Sequence, residues 1–257
     1  MNNGKRQELK SERMLKTKVK LTGLILAAGY GSRLAGVSPV TSFKPLTPVR
    51  GKALIFRTIE KLELAGCTEI VIVLGHGHKI IKNAIQDKYI GEIPLTFVFN
   101  EKYELSNGVS VLSARDHLSK RFIMTMADHI LGDSLMKIAG ETEIVEGEAA
   151  LLVDYKIDSI FDLDDATRVL SKDGKIQSIG KQIKEYNCVD TGLFVCTSGL
   201  LDALQKHYEK FGDTSISNGV QELARTDKMF AIDIGDGYWQ DVDTPEMLEQ
   251  ANKLLND

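Results

Sequence analysis

Cysteine is scarce in this 257-residue chain: Cys67, Cys188 and Cys196 are the only three, an odd number with no C-x-x-C spacing. That excludes a disulfide framework and fits small buried thiols in a reducing, cytoplasmic setting. The five histidines form no H-x-x-x-H pair beside a carboxylate, so the metalloprotease helix pattern is absent. No internal repeat or low-complexity linker divides the chain. Its first 20 residues lack the apolar run of a signal peptide or membrane span. They carry seven Lys/Arg against two Glu, a net of +5. This basic N-terminal extension (1–20) leaves −9 for residues 21–257, read as a single domain, and −4 in total. The balance argues against a general nucleic-acid binder, and no membrane span is expected. Two common phosphate motifs are missing as well. No lysine follows the early glycines at Walker spacing, and Leu34 stands where a dinucleotide fingerprint needs its third glycine.

What is present begins at residues 24–34, LILAAGYGSRL, followed by Lys44-Pro45-Leu46. An apolar strand runs through Leu26, Ala27 and Ala28 into a glycine turn. Gly29 and Gly31, with Ser32 between them and the arginine, let backbone N–H groups approach phosphate. Arg33 and Lys44 add positive charge where phosphoryl transfer accumulates negative charge. An ordinary strand-to-loop turn is the alternative for the glycines taken alone.

Composition supports a sizeable core, with 43% hydrophobic and 26% charged residues. Residues 21–27, 70–74, 95–100 and 122–126 read as buried strands. Helical spacing fits 54–65, ended by Gly66, and also 79–87 and 109–118. After about residue 148 the pattern changes. Strands are expected at 149–155, 189–195, 230–233 and 238–241, with a hairpin of 167–171 and 175–179 over Asp173-Gly174. Helices are expected at 200–208 and 218–225. Thr244 should cap a last helix, with Pro245 at its first position and Glu246 in its first turn. The expected architecture is doubly wound α/β: a mixed, mostly parallel sheet with an antiparallel insertion over its carboxyl edge. Ligands bind at that edge in such sheets.

Asp128 ends the apolar run FIMTMA, and Asp241 and Asp243 precede the last helix. Carboxylates so placed suit a hard cation such as Mg²⁺, which takes one or two of them and completes its shell with phosphate and water. Asp243 is the alternate to Asp241. A turn role for Asp128 and a capping role for the other two are the competing readings. His129 reads as a packing or hydrogen-bonding neighbour. Lys181 and the Val-Asp-Thr-Gly of 189–192 suggest a second anion site, and Lys184 a solvated charge. Asn107-Gly108 and Gly75-His76-Gly77 read either as loops that recognise a base edge or as plain turns.

These motifs resemble the sugar-phosphate nucleotidyltransferases, and most of all the inositol-1-phosphate cytidylyltransferases. The carriers are LAAGYGSRL, KPL, SNGVSVLSAR, FIMTMADHIL, DLDDATRVLSKDGKIQSIGKQIKEYNCVDTGLFV and YWQDVDTPEML. Together they cover nearly everything from residue 21. Many relatives have GxGTRL where this chain has GYGSRL, a change that keeps the hydroxyl. The resemblance implies a Rossmann-like nucleotidyltransferase fold of GT-A type and transfer of CMP from CTP to inositol 1-phosphate, with Mg²⁺ as cofactor. It implies that Gly29 and its neighbours cradle base and phosphates and that Arg33 and Lys44 hold the triphosphate. It further implies that Asp128 and Asp241 bind the metal, that Lys181 meets the acceptor phosphate, and that Asp190, Thr191 and Gly192 line the acceptor pocket. Expected partners are CTP, a phosphorylated polyol or alcohol, and a second copy of the chain as a homodimer. Many relatives continue into a membrane-embedded CDP-alcohol phosphotransferase. Here the expectation is that a separate protein supplies that step. Cytidylyltransferases for phosphocholine or 2-aminoethylphosphonate, another sugar-1-phosphate nucleotidyltransferase, a GT-A glycosyltransferase and an inactive sensing relative are the alternatives.

Overall fold

The computed structural model describes residues 20–30 and 43–255. In chain order the first half runs β1 (Thr22–Ala27), β2 (Pro48–Val49), β3 (Lys52–Ala53), α1 (Leu54–Leu64), β4 (Glu69–Leu74), α2 (His78–Lys88), β5 (Leu95–Phe99), α3 (Asn107–Ser113) and β6 (Phe122–Met126). Then come β7 (His129–Leu131), α4 (Asp133–Glu141), β8 (Ala149–Asp154), β9 (Arg168–Lys172), β10 (Lys175–Gly180) and β11 (Cys188–Cys196). The chain finishes with α5 (Ser198–Phe211), α6 (Ile216–Ala224), β12 (Met229–Asp233), β13 (Trp239–Asp241) and α7 (Pro245–Leu254).

Nine strands form one sheet in the order β5-β4-β1-β6-β11-β8-β12-β10-β9. All six residues of β1 are buried, as in a parallel strand covered on both faces. Alternate side chains feed two cores. Leu24, Leu26, Val71, Val73, Phe122 and Met124 enter one; Ile25, Ala27, Ile70, Ile72 and Ile123 enter the other. Helix α1 turns Leu54, Ile55, Ile59 and Leu62 inward and stops before Gly66, whose φ of +89° suits a residue without Cβ.

The sheet is not mostly parallel, which corrects the sequence expectation. β1, β4, β5 and β6 are mutually parallel, and β12 is parallel to β8. β11, however, runs antiparallel to both β6 and β8, and the β9–β10 hairpin adds antiparallel pairs. Between β8 and β11 the chain holds the β9–β10 hairpin and no α-helix that could serve as a parallel crossover, and β11 returns beside β8 antiparallel. The hairpin also belongs to the same sheet and does not form a layer over it: β9 meets the start of β11 through Cys188 and Val189.

The helix expected over 109–118 is shorter. Ser113 Oγ donates to Ser110 O at 2.7 Å, and the amides of Ala114 and His117 then make i→i+3 bonds that tighten the chain. α4 has no counterpart in the sequence reading; its buried Leu135, Met136 and Ala139 make a weak helical signal. At α7 the expected cap is present, with the Thr244 hydroxyl accepting from Met247 N. No helix among the described residues is long and apolar enough to cross a membrane.

Candidate active site

The site is built at the carboxyl ends of β1, β4 and β6. After β6 the chain turns at Ala127-Asp128 and enters β7, which pairs antiparallel with β13. Asp241 lies opposite His129 in that ribbon, and Val242 N donates to Asp128 O at 3.0 Å. Two acidic stretches far apart in sequence thus become neighbours through backbone pairing.

Lys44 joins them. It opens a one-turn 3₁₀ helix, Lys44–Leu46, with Pro45 buried behind it. Its Nζ makes ion pairs with Asp128 Oδ2 and Asp243 Oδ1. Asp243, the alternate in the sequence reading, is therefore the acid that shares Lys44 with Asp128, whereas Asp241 faces His129. Burial lowers the Lys44 ammonium, but Asp128 and Asp243 overcome it and hold the pKa above its ordinary value. Burial raises the Asp128 carboxyl, yet Lys44 and His129 hold it well below the usual range. Burial likewise opposes the His129 cation, while Asp128 and Asp241 raise it. Asp241 is raised by burial and by the like charges of Asp243 and Asp128, with His129 acting against them.

Beside this cluster lies a cleft of about 250 Å³, lined in part by Asn107, Lys181, Asp190, Gly192, Trp239 and Asp241. Lys181 Nζ is 2.5 Å from Asp165 Oδ1 at its rim. Asp190 Oδ1 accepts from Gly192 N at 2.7 Å. Burial raises this carboxyl to about 6, against the opposing influence of the Gly192 amide and His129. Thr191 is fully buried and donates to Leu152 O at 2.8 Å, so its side chain holds β11 to β8 and does not line the cleft.

The remaining sequence candidates fall as follows. Leu26, Ala27 and Ala28 are buried at the end of β1, and a Cβ on Gly29 would meet nothing within 4 Å. Gly31, Ser32 and Arg33 lie outside the described residues. Gly75 lets three loops meet, since a Cβ there would stand 2.5 Å from Ala28 O and 2.4 Å from Tyr103 Cβ. Gly108 is a packing glycine against Thr214 O. Asn107 Oδ1 accepts from Ile216 N at 2.9 Å, so that side of its amide is committed to the protein.

Several residues escaped the sequence reading. Tyr30 packs at a tilt against His76 and edge-on against Tyr103, with centroids 5.1 and 5.7 Å away, and its hydroxyl donates to Glu104 Oε1 at 3.0 Å. Trp239, the sole tryptophan, stacks on His129 and donates to Asp154 Oδ2 at 3.1 Å. A unique tryptophan next to QDVD was the available signal.

Acids, a buried lysine and a polar cleft at the carboxyl edge of an α/β sheet fit the layout of a nucleotidyltransferase. The chain belongs to the MobA-like NTP transferase domain family, whose pattern its residues 23–154 match. It is 33% identical over 91% of its length to a bifunctional IPC transferase and DIPP synthase of Archaeoglobus fulgidus, covering 44% of that protein. The protein of the same description from Aquifex aeolicus is 31% identical over 91% of this chain and 51% of its own length. The chain therefore spans about half the length of these relatives. In three dimensions it resembles the inositol-1-phosphate CTP transferase of T. maritima, with a TM-score of 0.80, 26% identity, and coverage of 93% of this chain and 96% of the other.

Proposed function

We propose that this chain transfers CMP from CTP to inositol 1-phosphate, giving CDP-inositol and pyrophosphate. The observation that carries the reading is the junction of the Lys44–Asp128–Asp243 cluster with the Lys181 cleft, in a fold shared with the inositol-1-phosphate CTP transferase. An acceptor phosphate oxygen attacks the α-phosphorus in line, and pyrophosphate leaves. The acceptor's second pKa is about 6, so it is largely deprotonated at neutral pH and needs no general base. Catalysis is then positioning and charge neutralisation.

Mg²⁺ fits the donor set. Asp128 and Asp241, with Asp243 as alternate, offer only oxygen, and the burial and like-charge repulsion on Asp241 mark a cluster short of positive charge. Mg²⁺ takes one or two carboxylates and completes its shell with water and, when present, substrate phosphates, so a two-acid site is enough. Bound there, Mg²⁺ supplies charge neutralisation between two anions. Lys44 and Arg33 supply positive charge to the triphosphate and the departing pyrophosphate. Lys181 orients the acceptor phosphate, and Asp190 and Gly192 shape its pocket.

A cationic amine on the acceptor would call for carboxylates or an aromatic cage, for which Asp164, Asp165 and Tyr186 are the candidates in the sequence, and two contacts favour an uncharged polyol over phosphocholine or 2-aminoethylphosphonate. The Tyr186 ring is covered by the Arg168 guanidinium, 4.9 Å from its centroid, so it is no cage for a second cation. Asp165 is paired with Lys181. The relatives named above are described as bifunctional, with a DIPP synthase beside the IPC transferase, so CDP-inositol would be the substrate of a following transfer step.

The test is Mg²⁺-dependent pyrophosphate release, with CTP, UTP, GTP and dTTP crossed against inositol 1-phosphate, phosphocholine, 2-aminoethylphosphonate and glucose 1-phosphate. Release is expected with CTP and inositol 1-phosphate. Preference for another pair would reassign the substrate, and silence across the panel would favour a sensing role.

A further inference from the structure

His129 is held on three sides. Its Nδ1 lies 2.6 Å from Asp128 Oδ1. A carboxylate oxygen accepts there, so Nδ1 carries the hydrogen whichever charge the ring has. The ring stacks on Trp239, with centroids 6.2 Å apart and planes 15° apart. Its far edge meets Gly192, where a Cβ would stand 2.5 Å from Nε2. Indole, glycine backbone and carboxylate together fix the imidazole plane.

That fixation acts on Asp128. The last torsion of an aspartate is broad and roughly two-fold, so an isolated carboxyl group swings freely. Here one oxygen accepts from His129 and the other faces Lys44. A donor pinned to Oδ1 removes the swing and aims Oδ2 at the cationic side of the site.

We propose that His129 is a positioning residue for the reaction: its Nδ1–H locks Asp128 Oδ1, so that Oδ2 is presented to cation and phosphate, while the imidazole itself touches no reacting atom. The inference rests on Asp128 being a metal-holding acid in the function proposed above. A ring that merely filled space would be replaceable by any side chain of similar volume. A hydrogen-bond donor to a liganding carboxylate is not, because such partners set ligand orientation and are worth about 10- to 100-fold in metal affinity or activity.

His129→Asn and His129→Gln separate these roles. The Asn amide nitrogen reaches the position of Nδ1, and the Gln amide nitrogen that of Nε2. Each variant is read by Mn²⁺ affinity of the nucleotide-free protein, from electron paramagnetic resonance, and by kcat and KM for CTP and inositol 1-phosphate. His129→Gln is expected to weaken Mn²⁺ binding and lower kcat by about 10- to 100-fold, with both KM values changed less than about threefold. His129→Asn is expected to stay within about threefold of the wild type in all readouts. Wild-type behaviour of the Gln variant, or equal losses in both, would overturn the proposal. Should neither variant fold, ¹⁵N-histidine spectra of the wild-type protein decide: neutral His129 is expected as the Nδ1–H tautomer, and an Nε2–H tautomer would overturn it. A wild-type protein without CTP-dependent turnover would overturn the functional reading alone, since the Mn²⁺ titration needs no substrate.

Discussion

Asp190 shows what one residue's environment costs. Burial lifts its carboxyl from 3.8 to about 6, so between roughly pH 4 and pH 6 the folded chain keeps a proton that the unfolded chain has lost. Stability therefore falls as pH rises through that window and is flat above it. Asp190→Asn keeps an oxygen for the Gly192 amide and removes the titration. The variant is expected to be more stable than the wild type at pH 7, with the slope between pH 4 and pH 6 reduced, in urea titrations at a series of pH values. An unchanged slope would assign the pH dependence to other groups. Lys181 offers a contrasting case. It is half-exposed, and its ion pair with Asp165 contributes little to stability. Lys181→Ala should leave the denaturation midpoint nearly unchanged and raise KM for inositol 1-phosphate by about 10- to 100-fold, the worth of a charged hydrogen bond. An effect confined to the KM for CTP would place Lys181 on the nucleotide instead.

Among the elements, β11 does the most to shape the site. Its pairing with β8 shifts between Asp190 and Phe194: four steps along β11 match two along β8, from Val153 to Leu151. The extra residues form a bulge that turns Asp190 and Gly192 toward the cleft. Gly192 sits at φ +73° against the His129 ring. Gly192→Ala should destabilise the protein by about 2–4 kcal/mol, from the left-handed backbone and the overpacked ring together, and lower kcat. A loss below about 0.5 kcal/mol in denaturant titration would show that the bulge relaxes freely. None of this was legible beforehand. Apolar runs announced β1, β4, β6 and β11, because burial on two faces needs continuous hydrophobicity. Such runs carry no information on strand direction, so the sequence left the direction of β11 open. The register shift at Asp190 leaves no periodic trace either. The partnership of β7 and β13 was equally hidden, since three-residue strands are too short to show alternation, although Asp128 stood out as the acid ending an apolar run and Asp241 as an acid ahead of the last helix.

Over the whole molecule, the site exists only when distant stretches meet. Lys44, Asp128, Asp190 and the acids before α7 were each recognisable as chemical groups. What the sequence could not show is that Lys44 Nζ seats between Asp128 and Asp243, because that contact depends on the β7–β13 ribbon closing over the end of β6. A ligand that binds only the assembled site stabilises every part of that assembly by mass action. Local opening in the described chain should therefore be suppressed in several segments together. With CTP and Mg²⁺ at saturating concentration, amide exchange is expected to slow in 127–131, 188–193 and 239–243 in the same experiment. The α5 C-terminus, where Phe211 is exposed and Gly212 ends the helix, should keep its rate because it lies outside the cleft. Protection confined to 127–131 would mean that β13 and its acids do not take part in binding. Protection in all three segments would tie the acids before α7 to the same ligand that Asp128 holds, which is the arrangement the acidic cluster requires if its excess negative charge is to be neutralised by the Mg²⁺ that binds with CTP.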